Sequence, residues 1–235
     1  SFVILFLLGN FVYYTNPRSG LNRIFAIICL ALTTYAFSEF MYRPAASAAE
    51  AGFWLKFAGL WIFVPPLFVH MLIVFAEKRD LLRRKLVYMV LYGPALVIYT
   101  LGSATDLYIG EPVKKYWGYT YSISGNPLPY YIGSAWNVGC ALLAFIMFVH
   151  FHLTTKDGIK KKQARYIYSA LAVLIFSGLG TEILPRLLGM EIPEFNTTVM
   201  TVFALLICYG IWKHRLFILN PSTAADNIVS AISDA

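Results

Sequence analysis

The sequence predicts an all-α polytopic membrane protein, a bundle of seven transmembrane helices with its N-terminus outside and its C-terminus cytoplasmic. Three observations predict it. Hydrophobic residues make up 59% of the 235-residue chain and charged residues 13%, whereas a soluble domain carries about 25% charged residues. The apolar residues collect into seven runs separated by charged or Pro/Gly/Asn-rich breaks. Lysine and arginine fall unevenly on the two sides that seven crossings define. A spanning helix takes roughly 20 apolar residues, so spans fill the chain and no separate soluble domain fits.

The runs cover 2–14, 23–42, 53–75, 86–101, 130–153, 166–184 and 195–212. The first is short for a hydrocarbon core of about 30 Å. It starts at Ser1 rather than Met and has neither the basic start nor the small-residue cleavage site of a signal peptide, so it reads as the edge of a fragment. Pro65 and Pro66 in the third run and Pro94 in the fourth withdraw helical donors and predict kinks or local unwinding.

Alternating the connections puts fourteen basic residues on one side: Arg18, Arg23, five between 78 and 85, five between 156 and 165, Lys213 and Arg215. Five lie on the other: Arg43, Lys56, Lys114, Lys115 and Arg186. Basic residues are retained in the cytoplasm, which sets the orientation. Trp54, Trp117, Tyr130, Tyr131 and Trp212 lie near run ends, where amphipathic rings favour the interface. The longest connection, 102–129, falls outside. Its WGYTYSISGNP stretch alternates aromatic and polar residues and suggests a hairpin with a turn at 124–127. Its length suits either an ordered lid or a mobile loop.

Polar groups inside spans are costly and mark candidate sites. Glu39 lies sixteen residues after Arg23, roughly 24 Å along a helix. Glu182, seventeen after Arg165, reaches a similar outer depth. Arg43 and Arg186, each four residues on, are their plain structural partners. Asn137 is either an interhelical hydrogen-bonding group or a ligand contact, and Trp61 is packing or a pocket wall. Thr198 and Thr201 read most simply as helix-packing or backbone-bonded threonines. Glu39, Trp61, Asn137, Glu182 and Thr201 nevertheless converge from five spans on the outer half, which suggests a pocket for a small-molecule or lipid-like ligand. The sequon Asn196-Thr197-Thr198 abuts the last span and reads as chance.

Cys29, Cys140 and Cys208 each sit in an apolar run, so no disulfide framework or zinc site is expected. His70, His150 and His152 fall toward span ends and read as interfacial or capping groups; no metal and no cofactor is expected. The last span lacks the lysine of a retinal protein, and no Walker, HExxH or GxSxG motif occurs. Catalysis by this chain is not expected, nor is nucleic acid a partner despite the formal charge of +7.

After Trp212 the chain runs KHRLFILNPS and then TAADNIVSAISDA. Asn220-Pro221-Ser222 suits a helix start, and Ala225, Ile228, Val229 and Ile232 recur at helical spacing. The stripe fits a two-stranded coiled coil and hence a homodimer, or else a frayed tail. Tyr209 to Phe217, Asn220-Pro221, Ala224 to Asp234 and the segment FVPPLFVHMLIVFAEKR from Phe63 to Arg79 together resemble the seven-helix N-terminal sensor regions of prokaryotic membrane histidine kinases. The resemblance implies a sensor domain over 1–212 in a prokaryotic plasma membrane. Residues 213–235 would form a cytoplasmic linker helix leading to PAS and kinase modules of a longer parent. It also implies a relay through Trp212, Asn220, Pro221, Ile228 and Ile232. The rival expectations are a small transporter or permease component, an input domain of a cyclic-dinucleotide enzyme, and an assembly subunit.

Overall fold

A computed structural model describes residues 1–217, apart from the side chains of residues 79, 186 and 187. Among the described residues the fold is helical, with one small hairpin. In chain order the helices are α1 (Phe2–Thr15), α2 (Gly20–Tyr42), α3 (Ala48–Ala58), α4 (Val64–Phe75), α5 (Lys85–Ala104), α6 (Leu128–Thr154), α7 (Gly158–Gly178), α8 (Leu184–Leu187) and α9 (Asn196–His214). Among the described residues, six spans are long and apolar enough to cross a bilayer: α2, α3 with α4, α5, α6, α7 with the turn after it, and α9. The shorter apolar α1 supplies the seventh member of the bundle. It packs along α2 so closely at Gly9 that a Cβ there would sit 2.7 Å from the Cβ of Cys29.

Local chemistry explains the boundaries. Ser19 caps α2 by accepting from the Asn22 amide, Ser47 caps α3 through the Glu50 amide, and Asp157 caps α7 through the Ile159 and Lys160 amides. Asp157 therefore starts the sixth span at Gly158, eight residues before the apolar run at 166. Pro94 sits inside an unbroken α5. Pro65 and Pro66 act differently: the third span breaks into a 3₁₀ segment, Gly59–Phe63, immediately before them. Prolines at 65 and 66 cannot donate to the carbonyls of Trp61 and Ile62, four residues back. Val64 N–H bonds the Trp61 carbonyl instead, in the tighter 3₁₀ pattern. The Asn137 side chain of α6 donates to the Ile62 carbonyl at 3.2 Å.

The centre of the bundle is filled by Phe25, Ile28, Phe68, Phe148, Ile167, Phe203 and Ile207, all fully buried. Leu30, Val97, Ile146, Phe176 and Leu205 point outward instead. With the bilayer as solvent an outward apolar face carries no penalty, and the helices need only pack, not hide. α5 is the peripheral helix, with Leu91 and Ala95 its buried residues.

The 102–129 connection carries a hairpin. Strands β1 (Val113–Lys115) and β2 (Gly118–Thr120) pair antiparallel, with a bridge between Ile109 and Ile123 beyond them. The expected turn at 124–127 is not where the chain reverses. It reverses at Tyr116–Trp117, because Gly118 takes φ +111° and lets the backbone fold back there. Asn126 instead accepts from the Leu128 amide at the start of α6. The hairpin lies against α2: Tyr119 N–H donates to the Arg43 carbonyl at 3.0 Å. A Cβ at position 118 would overlap that same carbonyl oxygen, so only glycine fits.

At the opposite end α9 stops at His214. Arg215 and Phe217 both take left-handed backbone angles, φ 48° and 65°, and Leu216 N–H returns to the Gly210 carbonyl at 3.4 Å. The exit segment is thereby folded onto the bundle. Leu216 and Phe217 are buried, and the Phe217 ring lies 4.4 Å from that of Phe25.

Candidate functional site

Two connected arrangements occupy the hairpin end. The first is an ion cluster at the end of α2. Arg43 donates to Glu39 at 2.7 Å and to Glu194 at 2.8 Å, and Thr120 of the hairpin donates to the other Glu194 oxygen at 2.8 Å. Three separate segments are thus tied to one guanidinium. Lys115 pairs with Glu191 beside it. Burial pushes the Glu194 carboxyl up, but the Arg43 charge and the hydrogen bonds from Arg43 and Thr120 outweigh it and hold the carboxyl below its usual range.

The second is a cavity of about 120 Å³ between α2, the α3–α4 break, α6, α7 and α9. Its walls are apolar: Leu32, Val64, Pro65, Phe68, Val138, Leu171, Leu174 and Met200. Its polar groups are Tyr35, Trp61, Ser134, Asn137, Ser177, Glu182 and Asn196. Glu182 sits in a π-helical turn, Leu179–Ile183, next to Gly178. Such turns displace one residue from the α register and recur at functional sites. Both Glu182 oxygens accept: one from the Tyr121 hydroxyl of the hairpin loop, the other from the Asn196 amide at 3.0 Å. Asn196 also donates to the Tyr35 hydroxyl at 3.1 Å. Tyr121 touches Tyr130 at 3.3 Å between hydroxyl oxygens, which links the loop to α6.

The structure brings three of the five candidate residues to one cavity: Trp61, Asn137 and Glu182 line it. Glu39 lies in the adjoining ion cluster, paired with Arg43 as its spacing suggests. Thr201 bonds back to the Thr197 carbonyl within α9 at 3.2 Å and lies outside the cavity, although its neighbour Met200 lines it. The Arg186 side chain, expected beside Glu182, lies outside the described residues. Sequence reasoning missed Tyr35, Tyr121, Glu194 and Asn196. Asn196, which in sequence reads as part of a chance sequon, is the residue that joins Tyr35 to Glu182. The readable signal for Glu194 was charge: Arg43 and Lys115 sit on the side poor in basic residues, where Glu191 and Glu194 are available to neutralise them.

No cluster of three or more histidine, cysteine or acidic side chains with metal-binding geometry occurs among the described residues. The cysteines are free, and His70 and His152 bond to Tyr92 and to the Lys161 carbonyl.

Comparison with protein families matches residues 1–221 to the N-terminal 7TM region of histidine kinase. The chain belongs to this family. No curated protein and no solved structure matches it. A 7TM region of a histidine kinase is a multi-pass membrane domain, and the helices found here supply the spans. Of the relay residues, Trp212 is exposed at the end of α9, while Asn220, Pro221, Ile228 and Ile232 lie outside the described residues.

Proposed function

We propose that this 7TM region is the sensing input domain of a sensor histidine kinase in a prokaryotic plasma membrane, with residues 1–212 as sensor and 213–235 as the link to cytoplasmic modules of a homodimeric parent. The hairpin end faces outward and the basic end inward in this reading, which the bias of lysine and arginine towards one side supports. A small molecule enters the cavity at Glu182, and its binding biases the exit segment.

One observation carries this reading: the helices that hold the cavity also hold the exit. On α2, Tyr35 lines the cavity, and at the far end Asn22 donates to the Phe217 carbonyl at 3.1 Å. Glu182 follows α7, and near that helix's start Gln163 donates to the His214 and Arg215 carbonyls at 3.2 and 3.4 Å. Two rigid rods therefore touch both places. A ligand shifts the exit only by binding one bundle arrangement better than another, and rods with both ends engaged supply that link. The left-handed residues after α9 favour a relay through docking of the exit over a stiff continuous helix.

The test is autophosphorylation of the full-length parent in vesicles. Asn22→Ala and Gln163→Ala are expected to change basal activity several-fold while sparing ligand binding at the other end. Basal activity and signal response equal to wild type in both variants would overturn the relay.

A further inference from the structure

Resting on the sensing role just stated, we infer that the cavity selects a small ring-sized molecule carrying a protonated amine, with Glu182 as its counter-charge. Size comes first. The cavity is about 120 Å³, close in size to an aliphatic protein cavity of about 150 Å³ that takes benzene, so its enclosed part matches a single ring. The walls formed by Leu32, Phe68, Leu171 and Met200 would enclose the apolar body.

The polar end then decides the head group. Glu182 accepts at one oxygen from Tyr121 and at the other from Asn196. These two donors are neutral, and a carboxylate has about four lone-pair directions, so each oxygen can accept again. An ammonium group placed there gains a charge-assisted hydrogen bond in a setting of low dielectric. Tyr35 and Trp61 line the same space, and aromatic rings can attract a cation over their faces. A carboxylate or phosphate head would meet Glu182 with like charge. A neutral alcohol would gain only an ordinary hydrogen bond.

The experiment uses the chain in lipid nanodiscs, with benzylamine, benzyl alcohol and benzoate as probes of nearly equal shape and different charge, read by calorimetry and thermal unfolding. Benzylamine is expected to bind at least tenfold more tightly than the other two. Glu182→Gln should reduce it to the level of the alcohol, and Glu182→Asp, which keeps the charge, should retain the preference. Ala141→Phe, filling the cavity from α6, should abolish binding of all three. Equal affinity for amine and alcohol, or a preference that survives Glu182→Gln, overturns the amine assignment and leaves the sensing cavity standing. Absence of binding by every probe, or binding that Ala141→Phe leaves intact, overturns the cavity itself.

Discussion

Arg43 grips carboxylates that are far apart in sequence, Glu39 one turn back and Glu194 near the other end of the chain. Desolvating such ions costs several kcal/mol each, so the cluster depends on Arg43 staying paired with its carboxylates. Because the Glu194 carboxyl is held below its usual range, its contribution is present above the unfolded value of about 4.3 and is lost as pH falls through the folded value. Hydrogen exchange at the Tyr119 amide, which bonds the Arg43 carbonyl, should therefore accelerate as pH drops below about 4 once the intrinsic pH effect is removed. Glu194→Gln should remove that acid step, and an unchanged profile in the variant would place the titration elsewhere. At this scale the sequence disclosed what depth along a helix can disclose: Glu39, Trp61, Asn137 and Glu182 follow from counting residues along spans. It hid what loops bring in, because no periodicity tells where Tyr121 or Glu194 folds back.

The elements show why some boundaries shifted. Apolar runs mark the part of a helix that meets lipid, whereas helices extend as far as their caps allow, and Asp157 carries α7 well outside its apolar run. The hairpin was legible as alternation, but its turn was set by Gly118, whose lack of a side chain matters only once the Arg43 carbonyl is next to it. Gly118→Ala should consequently detach the hairpin from α2. The expected outcome is rapid exchange at the Tyr119 amide and new protease sensitivity between 113 and 120, with helix content preserved. Protection equal to wild type would mean that the ion cluster alone secures the hairpin.

Across the whole molecule, composition and run count were enough for an all-α seven-helix bundle, because in lipid only closed hydrogen bonding within each segment is tolerated. The interior could not be read in the same way. Helices facing lipid and helices facing each other are equally apolar, so Phe176, exposed, and Phe148, fully buried, look alike in sequence. Packing direction has to come from small residues such as Gly9 and from the few polar contacts between helices, chief among them Asn137 with Ile62.

That last contact makes two distant positions answer for one another. Asn137→Leu would strand the Ile62 carbonyl and is expected to cost about 1–2 kcal/mol in denaturant titration of the folded chain. Pro66→Ala returns an amide to the place Asn137 now fills. The double variant should recover most of the loss, a coupling visible in a double-mutant cycle. Additive losses would show that Asn137 serves the cavity alone. If they couple, residues 66 and 137 form a compensating pair, and relatives without the proline would be released from keeping the asparagine.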